Sequence, residues 1–232
     1  MMGVGGPNLK MNTQPVERWI DDLYKRFDLE KYGLSYRVFR YGMLAYLKGL
    51  AKGIIKRPEV YVIIDFTKPS NKKRMYILDM VNKKVLDVEY VAHGRGRSGR
   101  NRVRVEEVSN EPGSHLSPIG FFVTGDRYIG KHGLSLRLIG VENGFNDNTL
   151  KRSVVIHGAG YVSEEWIRRF GRLGRSWGCF AVDQKKVKDI VSLLEGGIGI
   201  FVYFTDERYL RDSEYLKPVE RIPPSAELVK RE

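Results

Sequence analysis

Apolar positions along the chain keep a helical period at first and then change to the period of strands. Val16, Trp19, Ile20, Leu23 and Phe27 recur at three- and four-residue intervals and predict a helix over 16–27. Ser35 is placed to cap a second helix carrying Val38, Phe39, Met43, Leu44 and Leu47. From Val60 the apolar runs become short: VYVIIDF, RMYILDM and KVLDVEYVAH read as strands, separated by a polar Pro-Ser-Asn segment and an Asn-Lys-Lys turn. Gly120 to Thr124, Ser135 to Ile139, Val154 to Ile156 and Ile198 to Phe204 continue the series. Two short helices interrupt it. One starts at Ser163 with Glu164 and Glu165 in its first turn, and the other starts at Asp183 with Val187, Ile190, Val191 and Leu194 on one stripe. The pattern predicts a mainly β chain with flanking helices, divided into three parts. Residues 1–57 form a helical appendage whose first fifteen or so residues, rich in Gly, Asn and Pro, are expected to be mobile; 58–207 form the main unit; and 208–232 form a charged tail that wraps the surface or stays loose.

Length and charge narrow the function classes. A chain of 232 residues has room for one sizeable core and an appendage, not for two large domains. Forty Lys and Arg against 28 Asp and Glu give a net charge of +12, which attracts anions. With 42% hydrophobic and 11% aromatic residues, the chain has the composition of a folded protein rather than a basic tail. The longest apolar run, Ile198 to Phe204, is far below the ~20 residues of a membrane-spanning helix. The opening MMGVGGPNLKMNTQPVER has no charged stretch leading into an apolar core, so no secretory signal is read. Cys179 is the only cysteine, which excludes an intramolecular disulfide and any cysteine-cluster metal site.

The segment from Val154 to Val182, VVIHGAGY…GRSWGCFAV, holds the residues that point to chemistry. His157 ends an apolar strand, and Cys179 lies twenty-two residues later in a glycine-flanked turn. A thiol of ordinary pKa is only slightly ionised at neutral pH, so a nucleophilic cysteine needs a base or cation, and His157 is the candidate base. Arg172 and Arg175 would add positive potential and bind a carboxylate. Gly178 allows a tight bend, so the N–H groups of Gly178 and Cys179 can face a developing oxyanion. The alternative is a small buried structural thiol.

This sequence resembles the murein L,D-transpeptidases with the YkuD-type catalytic domain, in particular their larger branch with an N-terminal helical extension. The family's His-Gly pair followed by Ser/Thr-x-Gly-Cys is matched by His157-Gly158 and Ser176-Trp177-Gly178-Cys179, and a Pro-x-Gly-x-Phe-like element by Ser117-Pro118-Ile119-Gly120-Phe121. More diffuse similarity is found in LSYRVF (34–39), VIIDFTKPSNKKRMYILD (62–79), YVAHGR (90–95), GKHGLSLRL (130–138) and GRLGRSWGC (171–179), so that it spans Leu34 to Phe204. Two positions depart from the pattern of many members: Trp177 stands where they carry His, and Ala181 where they carry Arg. Arg172 or Arg175 would have to replace the latter. The resemblance implies an L,D-transpeptidase-like β-sandwich catalytic domain with Cys179 and His157 facing a cleft. It implies attack by the Cys179 thiolate on a stem-peptide carbonyl, expulsion of D-alanine, and a thioester resolved by an amine. It also implies peptidoglycan stem peptides as partners and a place in the cell envelope or periplasm, with the cytoplasm as the alternative because no secretory signal is read; no cofactor or metal is expected. A same-fold carboxypeptidase or endopeptidase on murein is the enzymatic alternative. A basic module binding anions or nucleic acid, with a structural cysteine, is the non-enzymatic one.

Other residues carry weaker signals. His132 matches a family segment and is a candidate for the cleft, together with Ser176, Trp177 and Gly158. His93 is expected to cap a strand end and His115 to lie in a solvated loop, while Trp19 and Trp166 are expected in the core. No short spacing joins the histidines into a metal site. Arg95, Arg97, Arg100, Arg102 and Arg104 gather in one glycine-rich stretch, read as a solvated loop or as a binding loop for anionic cell-envelope polymers or stem-peptide carboxylates. No nucleic-acid-binding fold or aromatic interleaving accompanies them.

Overall fold

The computed structural model describes residues 12–227; residues 1–11, on which most of the expectation of a mobile start falls, lie outside the described residues. Eight strands, β1 (Val60–Asp65), β2 (Met75–Asp79), β3 (Lys84–Glu89), β4 (Gly120–Gly130), β5 (Gly133–Gly140), β6 (Val155–Ala159), β7 (Phe180–Asp183) and β8 (Gly199–Tyr203), form one mixed sheet. Their order is β3-β2-β1-β8-β4-β5-β6-β7, with β1–β8 and β6–β7 parallel and the other pairs antiparallel. The fold is mainly β with flanking helices, as the apolar pattern predicts.

Helix α1 (Gln14–Arg26) carries Pro15 at its start, where a missing N–H costs nothing, and buries Val16, Ile20 and Leu23 on one stripe. Helix α2 (Tyr36–Ala51) is capped by Ser35, whose Oγ accepts the Val38 N–H at 3.4 Å. It is buried around most of its circumference and lies on β1 and β8. Its close approach is marked by the Tyr61 hydroxyl, which donates to the Gly42 carbonyl at 2.5 Å. β1 and β8 are buried at every position, which is why both read as unbroken apolar runs rather than alternating ones.

Strand β4 runs six residues beyond the predicted Thr124. Its inner half is buried and its outer half mostly exposed, so no apolar face announces the extension. Pairing with β5 holds it, and the Arg137 guanidinium lies 4.1 Å from the Tyr128 ring centre across the hairpin. Lys131 and His132 form the hairpin tip, and Gly133 takes φ +77° as β5 begins.

β6 and β7, being parallel, require a crossover. It is supplied by helix α3 (Glu164–Phe170), capped by Ser163 and ended by Gly171 at φ +72°. Helix α4 (Val187–Leu194) buries Val187, Ile190, Val191 and Leu194; it begins later than the sequence predicts because Asp183 closes β7. One face of the β6–β7 pair, Ile156, Phe180 and Val182, enters the main core. On the other face Ala159 and Ala181 pack with Ala92, Val162 and Leu173 in a second small cluster.

Up to Glu227 the charged tail is not loose. Helix α5 (Glu207–Asp212), a 3-10 turn (Glu214–Leu216) and helix α6 (Pro224–Glu227) follow β8, and Tyr209, Tyr215 and Leu216 are buried. The anchor is Glu142, whose buried carboxylate accepts from the Phe121 N–H at 2.7 Å, the Tyr209 hydroxyl at 2.8 Å and the Ser213 hydroxyl at 2.5 Å. Tyr215 stacks on Phe121 with ring centroids 5.1 Å apart. These apolar residues are scattered among charges in the sequence, so no period reveals them. Glu142→Ala strands three buried donors and is expected to cost about 3 kcal/mol, read as a lower urea midpoint; an unchanged midpoint would remove the anchor role.

Candidate active site

His157 lies opposite Ala181 in the parallel β6–β7 register. Side chains two residues apart on a strand share a face, so Cys179, two residues before Ala181, emerges on the face of His157. Both side chains line one cavity of about 610 Å³, a volume typical of small-ligand sites. The hairpin tip brings His132 over the site, where its ring stacks on His157 with centroids 4.3 Å apart and 16° between planes.

The turn before β7 is held by side-chain hydroxyl hydrogen bonds. Ser176 Oγ donates to the Cys179 carbonyl at 2.6 Å and accepts the Gly178 N–H at 3.1 Å. Gly178 has φ +119°, and a Cβ there would sit 2.9 Å from the Leu116 carbonyl oxygen, so only glycine fits. Ser117, from the Ser-Pro-Ile-Gly-Phe element, donates to the Gly178 carbonyl at 2.9 Å and accepts the Gly94 N–H at 3.0 Å. The Gly178 amide, expected to face an oxyanion, is taken up inside the turn by Ser176 Oγ.

Burial pushes the Cys179 thiol above its ordinary pKa; the Val155 amide and the Lys131 and Arg152 cations oppose this without reversing it. The thiol donates to the Ser153 carbonyl at 3.5 Å, a weak bond offered by a residue held at φ +53°. His157 is shifted down, first by burial; its bond to the Gly158 carbonyl opposes this, and His132 and Lys131 add to it. Its Nδ1 lies 2.9 Å from the Gly158 carbonyl and is the protonated nitrogen in that contact, which leaves Nε2 as the basic one. At neutral pH the resting pair is a thiol and a neutral imidazole.

Of the residues singled out in the sequence, Ser176, Trp177, His132 and Arg175 line the cavity with Cys179 and His157. Gly158 and Arg172 do not. A Cβ at Gly158 would meet Gln184 and Val187, on the side away from the cavity, and the Arg172 Nη1 donates to the Leu173 carbonyl at 2.8 Å. Trp177 is 63% exposed and stacks on His115 at 4.5 Å, so His115 is a cavity wall rather than a solvated loop residue. His93 is fully buried, its Nδ1 accepting from Arg74 at 2.8 Å. Burial lowers the pKa of Arg74 to about 9. Trp19 is half-buried at the margin of the main core, and Trp166 is half-buried against the rings of Tyr161 and Phe170, so neither lies inside the core.

Sequence reading missed Arg152. Its Nη1 donates to the Ser109 carbonyl at 2.6 Å and its Nη2 to the Leu116 carbonyl at 2.5 Å and Ser114 Oγ at 3.2 Å. It thus holds the segment that presents Pro112, Gly113 and His115 to the cavity while placing a cation near Cys179. The cations acting on the thiol are Arg152 and Lys131, not Arg172 and Arg175. Tyr128 and Tyr161, also cavity-lining, gave no signal beyond ordinary aromatic positions. Among the described residues no three His, Cys, Asp or Glu side chains are grouped to hold a metal, and no helix is long and apolar enough to cross a membrane.

Comparison with known proteins shows the family. Residues 30–203 match the profile of YkuD_2, the L,D-transpeptidase catalytic domain. Among solved structures, an L,D-transpeptidase from Mycobacterium smegmatis aligns at 14% identity and TM-score 0.37 over 63% of this chain and 59% of its own. The helical cell shape determining protein Pgp2 (K307A mutant) from Campylobacter jejuni aligns at 13% identity and TM-score 0.38 over 72% and 57%. The chain thus spans less than two thirds of either. An L,D-transpeptidase fragment from Xylanimonas cellulosilytica aligns at 14% identity and TM-score 0.36 over 87% of this chain and 100% of its own. No curated protein matches. The profile match covers well over half of the chain, which therefore belongs to the L,D-transpeptidase catalytic-domain family.

Proposed function

We propose that the protein is a cysteine-dependent murein L,D-transpeptidase acting on peptidoglycan stem peptides in the cell envelope. His157 Nε2 takes the Cys179 thiol proton as sulfur attacks the carbonyl preceding a terminal D-alanine. The Cys179 amide faces the developing oxyanion. When the tetrahedral intermediate collapses, the C–N bond breaks, His157 returns the proton to the departing amine, and D-alanine leaves a thioester on Cys179. An amine of a second stem then displaces the thiol, its surplus proton passing through His157. Gly158 orients His157 through its carbonyl, Ser176 fixes the nucleophile turn, and Trp177, His115, His132 and Arg175 wall the substrate.

The observation that supports this reading is the placement of Cys179 and His157 on one sheet face, lining one cavity large enough for a peptide end. The test is to mix the protein with a tetrapeptide stem and follow mass and products. D-Alanine release, a tripeptidyl adduct on Cys179 and, with an acceptor amine, a cross-linked product are expected. Tripeptide alone, whatever the acceptor concentration, would assign a hydrolase instead. Ser176→Ala frees the turn and is expected to lower acylation roughly 10- to 100-fold while the protein stays folded by circular dichroism; wild-type rates in that variant would deny Ser176 its part.

A further inference from the structure

Four guanidinium groups lie close to one another beside the part of the cavity wall that Arg175 forms. Arg175 lines the cavity, and its Nη1 is held by the carbonyls of Asn101 at 2.8 Å and Gly99 at 3.4 Å. The loop carrying those carbonyls is joined to the Arg175 segment a second time: the Arg95 N–H donates to the Ser176 carbonyl at 3.0 Å, and the Ser176 N–H to the His93 carbonyl at 3.0 Å. Asn101, itself buried, stiffens the loop by donating to the Gly94 and Glu107 carbonyls and accepting from the Glu106 and Glu107 amides. Arg95 and Arg102 are thereby held beside Arg172 and Arg175. The proximity is felt electrostatically: after burial, the charges that lower the Arg175 pKa are those of Arg172, Arg102 and Arg95.

Among the described residues none of the four arginines is in a salt bridge; of the two acids on that loop, Glu107 is bound by Arg100 and Ser98, and Glu106 forms no ion pair with any of the four. Like charges fixed this way repel one another, and an anion with more than one charge seated among them turns that repulsion into binding. Planar forks suit carboxylates. Because Arg175 shares its cavity with Cys179, the anion belongs to the molecule reacting there rather than to a polymer lying elsewhere on the surface.

We infer that Arg95, Arg102, Arg172 and Arg175 form a subsite for the free side-chain carboxylates of the substrate peptide, so that the site selects stems carrying more than one free carboxylate over amidated ones. The inference rests on the transpeptidase reading above, and its test separates the two. A tetrapeptide stem with free side carboxylates is compared with the same peptide amidated at those groups, the terminal carboxylate being kept in both. Binding is measured on Cys179→Ala protein and turnover on protein with Cys179 intact, each with and without the pair Arg95→Gln and Arg102→Gln.

Expected are about five- to tenfold tighter binding and lower KM for the free acid, fading with added salt. The Arg95→Gln, Arg102→Gln protein is expected to lose that preference. Equal affinity for the two peptides, or a preference that survives the double substitution, overturns the subsite. If neither peptide is turned over, the transpeptidase reading falls, while the binding comparison still decides the subsite. Salt-sensitive binding of a glycerol-phosphate polymer that the double substitution removes, with both peptides bound alike, assigns the arginines to a wall polymer and also overturns the proposal.

Discussion

Replacing Cys179 by alanine is expected to abolish D-alanine release and the peptidyl adduct, a loss of roughly 10⁴-fold or more, with the fold retained. Position 179 lies at the cavity wall with its backbone held by Ser176 and its side chain only partly buried, so removing sulfur leaves no large cavity. There is no second thiol to fall back on, because Cys179 is the only cysteine. The thiol's raised pKa sharpens how this is measured. Held as a thiol, Cys179 is expected to react with a small alkylating agent more slowly than free cysteine at neutral pH, so slow alkylation says nothing against catalysis. The decisive readout is acylation by substrate, the step in which the proposed mechanism has His157 remove the proton as the bond forms. Unchanged D-alanine release by Cys179→Ala would end the assignment.

The sequence showed the apolar framework clearly and the walls of the site poorly, for a physical reason. β1, β8 and α2 are buried on nearly all sides, so their apolar content is dense enough to read directly. The outer half of β4 is ordered by pairing with β5 and by cation–ring contact, neither of which needs an apolar period. β7 is only four residues long and is a strand because β6 lies beside it. The same contrast holds at the site. His157 and Cys179 stand out because few residue types carry such chemistry and because they resemble a known motif. Arg152 does not, being one of 40 Lys and Arg residues, and its importance lies in three carbonyl and hydroxyl partners between Ser109 and Leu116 that fold into reach. His115 was misread for a related cause: its segment is polar in sequence, yet Arg152 and Ser117 pin it so that the ring meets Trp177. Charge alone gave a sign at the outset, and only the joined loops show which arginines remain unpaired.

His157→Gln is expected to slow acylation by roughly 10²- to 10⁴-fold and to change the shape of the pH profile. Burial, with His132 and Lys131, moves the His157 pKa below the ordinary histidine value near 6.5, so the imidazole is already neutral, and able to accept a proton, on the acid side of neutrality. The thiol is shifted the other way and keeps its proton well past neutrality. With Cys179 intact, kcat/KM is therefore expected to rise through a limb below pH ~6.5, where His157 loses its proton, and to stay level across neutral pH. In His157→Gln that limb vanishes. What activity remains climbs with pH instead, since thiolate then forms only by direct ionisation above the usual cysteine range. His132→Gln tests the same balance from the other partner: without the neighbouring ring the His157 pKa rises and the acid limb moves to higher pH. A limb that stays in place in His157→Gln assigns the titration to another group and removes His157 as the base.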